Sequence, residues 1–351
     1  MSVSRPPIAE RLTSQMLAGE PARDAPAVVR RLLAVQGQDP RGARLAIRVR
    51  SEGLSAEDVD RALTVERSLL ITWLNRGTLH LVASEDYPWL QALTAPRLMT
   101  ANARRLAQEG VSPAQADRGV ERIARALVDE GPLSRAQLRE RIDAAGVPVE
   151  GQALVHLLFA ASLRGVAVRG PMVDGQQAFV AVRDWLGEPA RAPGDRDRAL
   201  AELARRYLAG HAPAAAGDLA RWSGLSLGDA RTGLAAIAPE LDEREDGLVM
   251  LARRPSAAPL PEPRLLGAFD PVLLGWTSRA AITGSEQSIV TTNGLFRPFA
   301  MVRGQAVATW RLSAGKVELA PFAELAPRTA AALRRDGDAV VRYLEPRSAV
   351  A

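Results

Sequence analysis

Leu69-Leu70-Ile71-Thr72-Trp73-Leu74, Asn75-Arg76-Gly77 and Thr78-Leu79-His80-Leu81-Val82 form the stretch whose reading decides the fold. Two β-rich runs around a glycine-bearing turn predict an antiparallel hairpin. Upstream, apolar residues recur at helical spacing: Ile8, Leu12, Met16 and Leu17 on one helix, and Val28, Val29, Leu32 and Leu33 on a second after Pro26. Gly37, Asp39, Pro40 and Gly42 interrupt that second helix, and a short third helix fits residues 43–50. Ser55, with Asp58 three residues on, resembles a capping box in which Asp replaces the usual Glu. Three helices and then a hairpin is the order of a winged helix, here over residues 4–106.

The order recurs over residues 112–189. Val120, Ile123, Ala124, Leu127 and Val128 share a helical face, and Ser134 caps a helix carrying Leu138 and Ile142 that Gly146 stops. A third helix holds Leu154, Leu157, Leu158 and Leu163, and runs at 166–169 and 178–181 flank the hairpin signal Asp174-Gly175. Residues 195–251 repeat it again, with Leu200, Leu203, Tyr207 and Leu208, then Leu219 and Trp222, then a helix opened by Ser226. Arg125, Leu127, Pro132 and Leu138 align with Arg206, Leu208, Pro213 and Leu219 at one constant offset, too long for a solenoid period.

A proline-rich linker at 253–263 leads to a different texture over residues 264–345. Short runs at 265–266, 272–274, 288–290, 299–302, 307–310 and 316–319 read as strands, closed by a helix at about 322–335. Trp310 and Phe269 read as core residues. The fold class expected is therefore mainly α with β, an α+β multidomain chain of three tandem winged-helix units plus a C-terminal small β-sheet or barrel domain.

Composition removes several chemistries. The 351 residues contain no cysteine, which excludes disulfides, thiolate metal sites and a cysteine nucleophile. His80, His156 and His211 are too dispersed in sequence to suggest a histidine metal cage, so no metal and no cofactor is expected. No apolar run is long enough to span a bilayer and the N-terminus shows no signal segment, so the chain reads as cytoplasmic, with no membrane partner. Net charge is +5, with a single lysine, Lys316, among 45 basic residues. Arginine suits forked phosphate contacts. A high-GC genome gives the same bias, so composition points only weakly to nucleic acid.

Winged helices place a helix in the major groove and the hairpin beside the backbone. Many bind proteins instead, but DNA is the favoured partner here. The unusual segment is Leu32-Leu33-Ala34-Val35-Gln36-Gly37-Gln38-Asp39-Pro40-Arg41. If extended, Gln36-Gly37-Gln38 directs both amides to one side, each offering donors and an acceptor without charge. By spacing alone, a polar helix terminus with a turn is the favoured explanation, because Gln-x-Gln is common. Asp39 is either a base or a cap for the next turn. Arg41, Arg44 and Arg48 follow, the last two on one helical face and suited to phosphate. Arg76 at the hairpin tip either enters a groove or is solvated. His80 shares a face with Thr78 and Val82, and either packs under the hairpin or touches DNA.

The sequence resembles the AlkZ-like family of bacterial winged-helix DNA glycosylases. The resemblance rests on residues 34–40, 72–82, 218–225, and 265–270 with 304–310. It implies tandem winged helices with a C-terminal β-rich domain around a DNA-sized concavity. It also implies excision of bulky alkylated bases, in crosslink repair or antibiotic self-resistance. The family's catalytic motif, Gln, a usually bulky residue, then Gln or Asp, falls on Gln36, Gly37 and Gln38, with glycine departing from the bulky position. The resemblance implies catalytic roles for Gln36 and Gln38; by their positions, Asp39 is the alternative base and Arg41, Arg44, Arg48, Arg76 and His80 are the candidate DNA contacts. The partner implied is double-stranded DNA carrying alkylated guanine, bound by a monomer at the nucleoid. A winged-helix regulator without catalysis and a drug-sequestering resistance protein are the competing readings.

Overall fold

Side-chain caps start several of the helices where the serines stand. Ser112 with Gln115, Ser134 with Gln137 and Ser226 with Asp229 form reciprocal capping boxes. Ser55 and Asp58 also pair, the Ser55 N–H and hydroxyl both donating to the Asp58 carboxylate at 2.8 and 3.0 Å. The computed structural model describes residues 7–173, 175–187 and 195–346. Ser4, Asp174 and Pro189, which bear on the expected first and second units, lie outside the described residues. The fold is mixed α and β with small antiparallel sheets. No described helix is long and apolar enough to cross a membrane.

Two compact units emerge. One joins the chain up to Val59 to the chain from Leu200 onward; the other is residues 60–199. In the second, the hairpin of Leu69–Leu74 and Thr78–Ala83 is in register from Leu69↔Ala83 to Leu74↔Thr78. It does not end its sheet at Leu69–Leu74. That strand pairs with Ala167–Val173, which pairs with Gln176–Ala181, so two hairpins distant in sequence become one sheet. Pairing satisfies backbone groups that an edge strand would leave open. Trp73, Leu106, Ile123, Leu127, Leu138, Leu157 and Phe179 fill the core between this sheet and the helices Pro113–Glu130, Arg135–Asp143 and Ala153–Leu163.

The first unit begins with helices Ile8–Ser14, Ala25–Leu32 and Pro40–Arg48. From Leu200 onward it adds Ala216–Ser223, Leu227–Ala236 and a ribbon of Leu241–Glu243 with Val249–Leu251. A four-stranded sheet follows, Lys316–Pro321, Gln305–Ser313, Phe299–Val302 and Arg264–Leu266 in spatial order. Helix Pro327–Leu344 packs on it through Leu333, Val340 and Tyr343.

Three expectations change here. Residues 272–274 look β-rich, but Asp270 accepts from Val272 N–H and Pro271 stands at the first helical position, so Pro271–Leu273 is a 3₁₀ turn. At 288–290 only the bridge Val290↔Phe296 forms. The last helix starts at Pro327 and runs to Leu344, later and longer than expected. Trp310 is core, its indole N–H donating to Leu266 O at 2.9 Å. Phe269 is half-buried against Phe296, on backbone with φ +57°.

His211 is enclosed among Tyr207, Trp222 and Trp276, stacked on the tyrosine at 4.7 Å, and its Nδ1–H donates to Tyr207 O. Burial, reinforced by the charges of Arg50 and Arg31, holds its pKa down to about 3 against the opposing Tyr207 carbonyl. The native state therefore keeps His211 neutral where an unfolded chain protonates it, and stability falls as pH drops below about 6.5. Between pH 7 and pH 5 one such histidine costs about 2 kcal/mol. Urea unfolding of wild type and His211→Gln at both pH values should show the loss shrinking by about that amount in the variant; equal losses would contradict the assignment.

Candidate active site

The Gln36-Gly37-Gln38 segment lies between two fixed helices. Asp24 caps Ala25–Leu32, accepting from Ala27 N–H at 2.6 Å. That helix ends at Leu33, whose φ of +64° turns the chain sharply, and Leu32 through Val35 are buried. Val35–Gln36 is extended. Asp39 then caps helix Pro40–Arg48, its carboxylate accepting from Arg41 N–H at 3.0 Å. Of the two roles open to Asp39 in the sequence, the cap is the one its carboxylate occupies.

The helix after the motif is held along its length. Tyr343 Oη donates to Arg44 O at 2.9 Å. Gly42 and Gly267 let this helix and the chain after Arg264–Leu266 meet backbone to backbone: a Cβ on Gly42 would lie 2.3 Å from Ala268 O. At the far end Arg50 donates to both Asp270 oxygens, to Gln15 O and Oε1, and to Ala46 O.

Within this frame the glutamines differ. Gln36 is 6% exposed and its Oε1 is buried without a hydrogen bond, whereas Gln38 is exposed. Leaving a buried carbonyl oxygen unsatisfied costs roughly 1–3 kcal/mol. Such atoms are uncommon in native folds, and each calls for a reason such as strain, a catalytic role or a bound water. The pair thus offers one enclosed acceptor and one solvent-facing amide across Gly37, not two equivalent amides.

The three arginines that follow also separate. Arg41 is exposed. Arg44 is buried, with Nη1 donating to Pro40 O at 2.8 Å. Arg48 grips Asp336 with two nitrogens, at 2.6 and 3.2 Å, and Asp336 also accepts from Leu265 N–H. The face shared by Arg44 and Arg48 is turned into the fold, where they brace the motif's helix; only Arg41 is held outward.

Arg76 and His80 belong to the other unit. Arg76 is exposed at the hairpin tip between Asn75, at φ +54°, and Gly77, at φ +83°. His80 is buried and its Nδ1–H donates to Thr78 O at 2.8 Å. Burial, then the Arg76 charge, hold its pKa down to about 3 despite the Thr78 carbonyl, so it is neutral near pH 7 and can only accept through Nε2. Register sets Thr72 opposite His80, on the face away from Trp73 and Leu79. On that hairpin Thr72 Oγ1, Thr78 Oγ1 and both amide atoms of the 3%-exposed Asn75 are buried without hydrogen bonds. Sequence reasoning passed over Thr72 and Asn75. The signal for Thr72 was a single polar residue in an otherwise apolar strand, and Asn75 follows that strand in the turn. Among the described residues no group of three or more His, Asp or Glu is placed to hold a metal.

Comparisons with known proteins agree on one lineage. The family described as DNA glycosylase AlkZ-like matches residues 29–343. The chain is 27% identical, over 363 aligned residues, to a Streptomyces sahachiroi protein named interstrand DNA cross-link repair glycosylase, covering 95% of this chain and 94% of that one. The solved structure of Streptomyces sahachiroi DNA glycosylase AlkZ superposes with a TM-score of 0.79 at 26% identity, covering 96% of this chain and 95% of that one.

The Gly42 contact is directly testable. Gly42→Ala places a methyl against backbone that cannot yield cheaply, an overpacking that costs about 1–3 kcal/mol. Denaturant unfolding should register that loss; a variant as stable as wild type would show that the helix has room.

Proposed function

We propose that this chain, which belongs to the AlkZ-like DNA glycosylase family, is a monofunctional enzyme that hydrolyses the N-glycosidic bond of bulky N7-alkylguanine in duplex DNA. The observation that carries the reading is the buried, hydrogen-bond-free Oε1 of Gln36 beside the exposed Gln38 amide, on a rigidly held segment. Its Streptomyces sahachiroi relative is named a cross-link repair glycosylase, and unhooking of interstrand crosslinks is proposed for this chain too. The enzyme works as a monomer on the nucleoid in the cytoplasm, in repair or in self-resistance to an alkylating antibiotic.

Neutral amides suit this reaction. An N7-alkylguanine is already cationic, so the electron pair of the breaking C1′–N9 bond neutralises the leaving base and no general acid is required. The sugar develops oxocarbenium character, as in glycoside hydrolysis. Water then bonds to C1′ and releases a proton. The protein must orient that water and stabilise the sugar cation, tasks of positioning and electrostatics. Gln38 orients the water. Gln36, whose oxygen has no competing hydrogen bond, shares it or faces the sugar. Arg41 and Arg76, both exposed, are assigned to phosphate, and neutral His80 to a hydrogen bond with DNA. No amine nucleophile enters the scheme.

Base release from an N7-alkylguanine duplex should fall roughly 10²–10³-fold in Gln38→Ala, and less in Gln36→Ala. Gln36→Leu, which keeps most of the buried volume, should not lower the melting temperature, because the lost oxygen had no bond to lose. Full activity in the double alanine variant would reject both roles. Release of modified base from adducted but not clean duplex also separates this reading from a regulator or a drug-binding protein.

Asp39 has its own test. Asparagine caps as well as aspartate, so Asp39→Asn should keep wild-type excision and stability, while Asp39→Ala should cost about 1 kcal/mol. Loss of excision in a stable Asp39→Asn protein would make Asp39 a base.

A further inference from the structure

Arg169 is an arginine with no counter-charge among the described residues. It lies in Ala167–Val173, opposite Ile71 on one side and Phe179 on the other. Its guanidinium carbon is 5.1 Å from the Trp73 ring centroid and 4.7 Å from that of Phe179, so two aromatic surfaces hold it. Its Nε is buried with no acceptor, and its side chain makes no hydrogen bond or ion pair among the described residues. Arg50 shows the ordinary arrangement in this same chain, a buried guanidinium fully matched to a carboxylate.

The surroundings add positive charge. Phe179 exchanges both backbone hydrogen bonds with Leu133, at 2.8 and 3.0 Å, which brings the start of helix Arg135–Asp143 beside Arg169. Arg135 is exposed there. Burial and then the Arg135 charge push the Arg169 pKa down to about 10, and among the described residues no carboxylate opposes them. The strand breaks register between Arg169 and Met172, with Gly170 pressed on Trp185. Such bulges re-aim side chains.

We propose that Arg169, supported by Arg135, is a phosphodiester-binding site that seats the DNA backbone on the 60–199 unit. A planar fork fixed between aromatic rings matches the two non-bridging oxygens of one phosphate, and an anion there removes the repulsion between the two arginines. Taking duplex DNA as the source of that phosphate rests on membership of the glycosylase family.

The experiment is a salt titration of binding to a short, undamaged, fluorescently labelled duplex. Arg169→Met keeps the packing over Trp73 and removes the charge. It should weaken binding several-fold at low salt and reduce the slope of log K against log salt by about one unit. Arg169→Lys should restore the slope. A folded Arg169→Met protein with the wild-type slope overturns the site. If Arg169→Met does not fold, Arg135→Ala on the exposed helix start decides alone, a reduced slope supporting the site and an unchanged one overturning it. Base release by wild type is measured separately on adducted duplex, so failure of excision and failure of this site are distinguishable.

Discussion

The buried pair of Arg50 and Asp270 is the constraint on which the motif-bearing unit depends. Both side chains are fully enclosed and meet at 2.7 Å. Burying two charges is costly, and such a pair need not stabilise more than an apolar substitute would. Breaking one half, however, strands the other and costs about 3–5 kcal/mol. The pair therefore specifies geometry. Gln15 completes it, accepting from Arg50 and donating through Nε2 to Gly210 O at 3.0 Å. One polar node thus ties the end of the first helix, the end of Pro40–Arg48, the 270 turn and the helix at residue 210. A unit assembled from two distant stretches of chain needs such a node, and the motif inherits its rigidity.

Much of the arginine content serves the same purpose. Arg11 donates to Pro213 O, Arg31 to Ser14 O, Arg264 to Val49 O and Arg48 to Asp336. A guanidinium with five donors reaches several carbonyls at once, which makes it an effective brace between segments. The net charge of +5 is thus a poor guide to the DNA-facing surface. What distinguishes an arginine is whether the fold provides an acceptor. The chemistry proposed at the motif is correspondingly neutral: two carboxamides, and a histidine whose burial and arginine neighbour keep it uncharged.

Local structure was largely legible in the amino acids. The serine caps start their helices, and Asn75-Arg76-Gly77 turns the hairpin between registers set by alternation. The family was legible too, because its motifs lie in short contiguous stretches. Errors came where a local conflict had to be resolved. Val272 and Leu273 favour strands, yet Asp270 and Pro271 impose a turn. The helix near the C-terminus waits for Pro327, because proline is tolerated at the first helical position. Periodicity reports which residues share a face, but not what the face meets. Arg44 and Arg48 share theirs as spacing requires, and it is turned inward.

The sequence by itself determined most of the helices and hairpins and the absence of thiol chemistry, and it singled out the two glutamines as the candidate pair. Those are properties of neighbours within a few residues or of composition. Only the tertiary structure decided that Gln36 is enclosed and Gln38 exposed. It alone separated Arg41 from the bracing Arg44 and Arg48, merged two hairpins into one sheet, and left Arg169 between aromatic rings with no carboxylate among the described residues. Exposure and charge pairing depend on partners hundreds of residues away in the chain, such as Asp336 for Arg48, and no local pattern encodes which partner arrives.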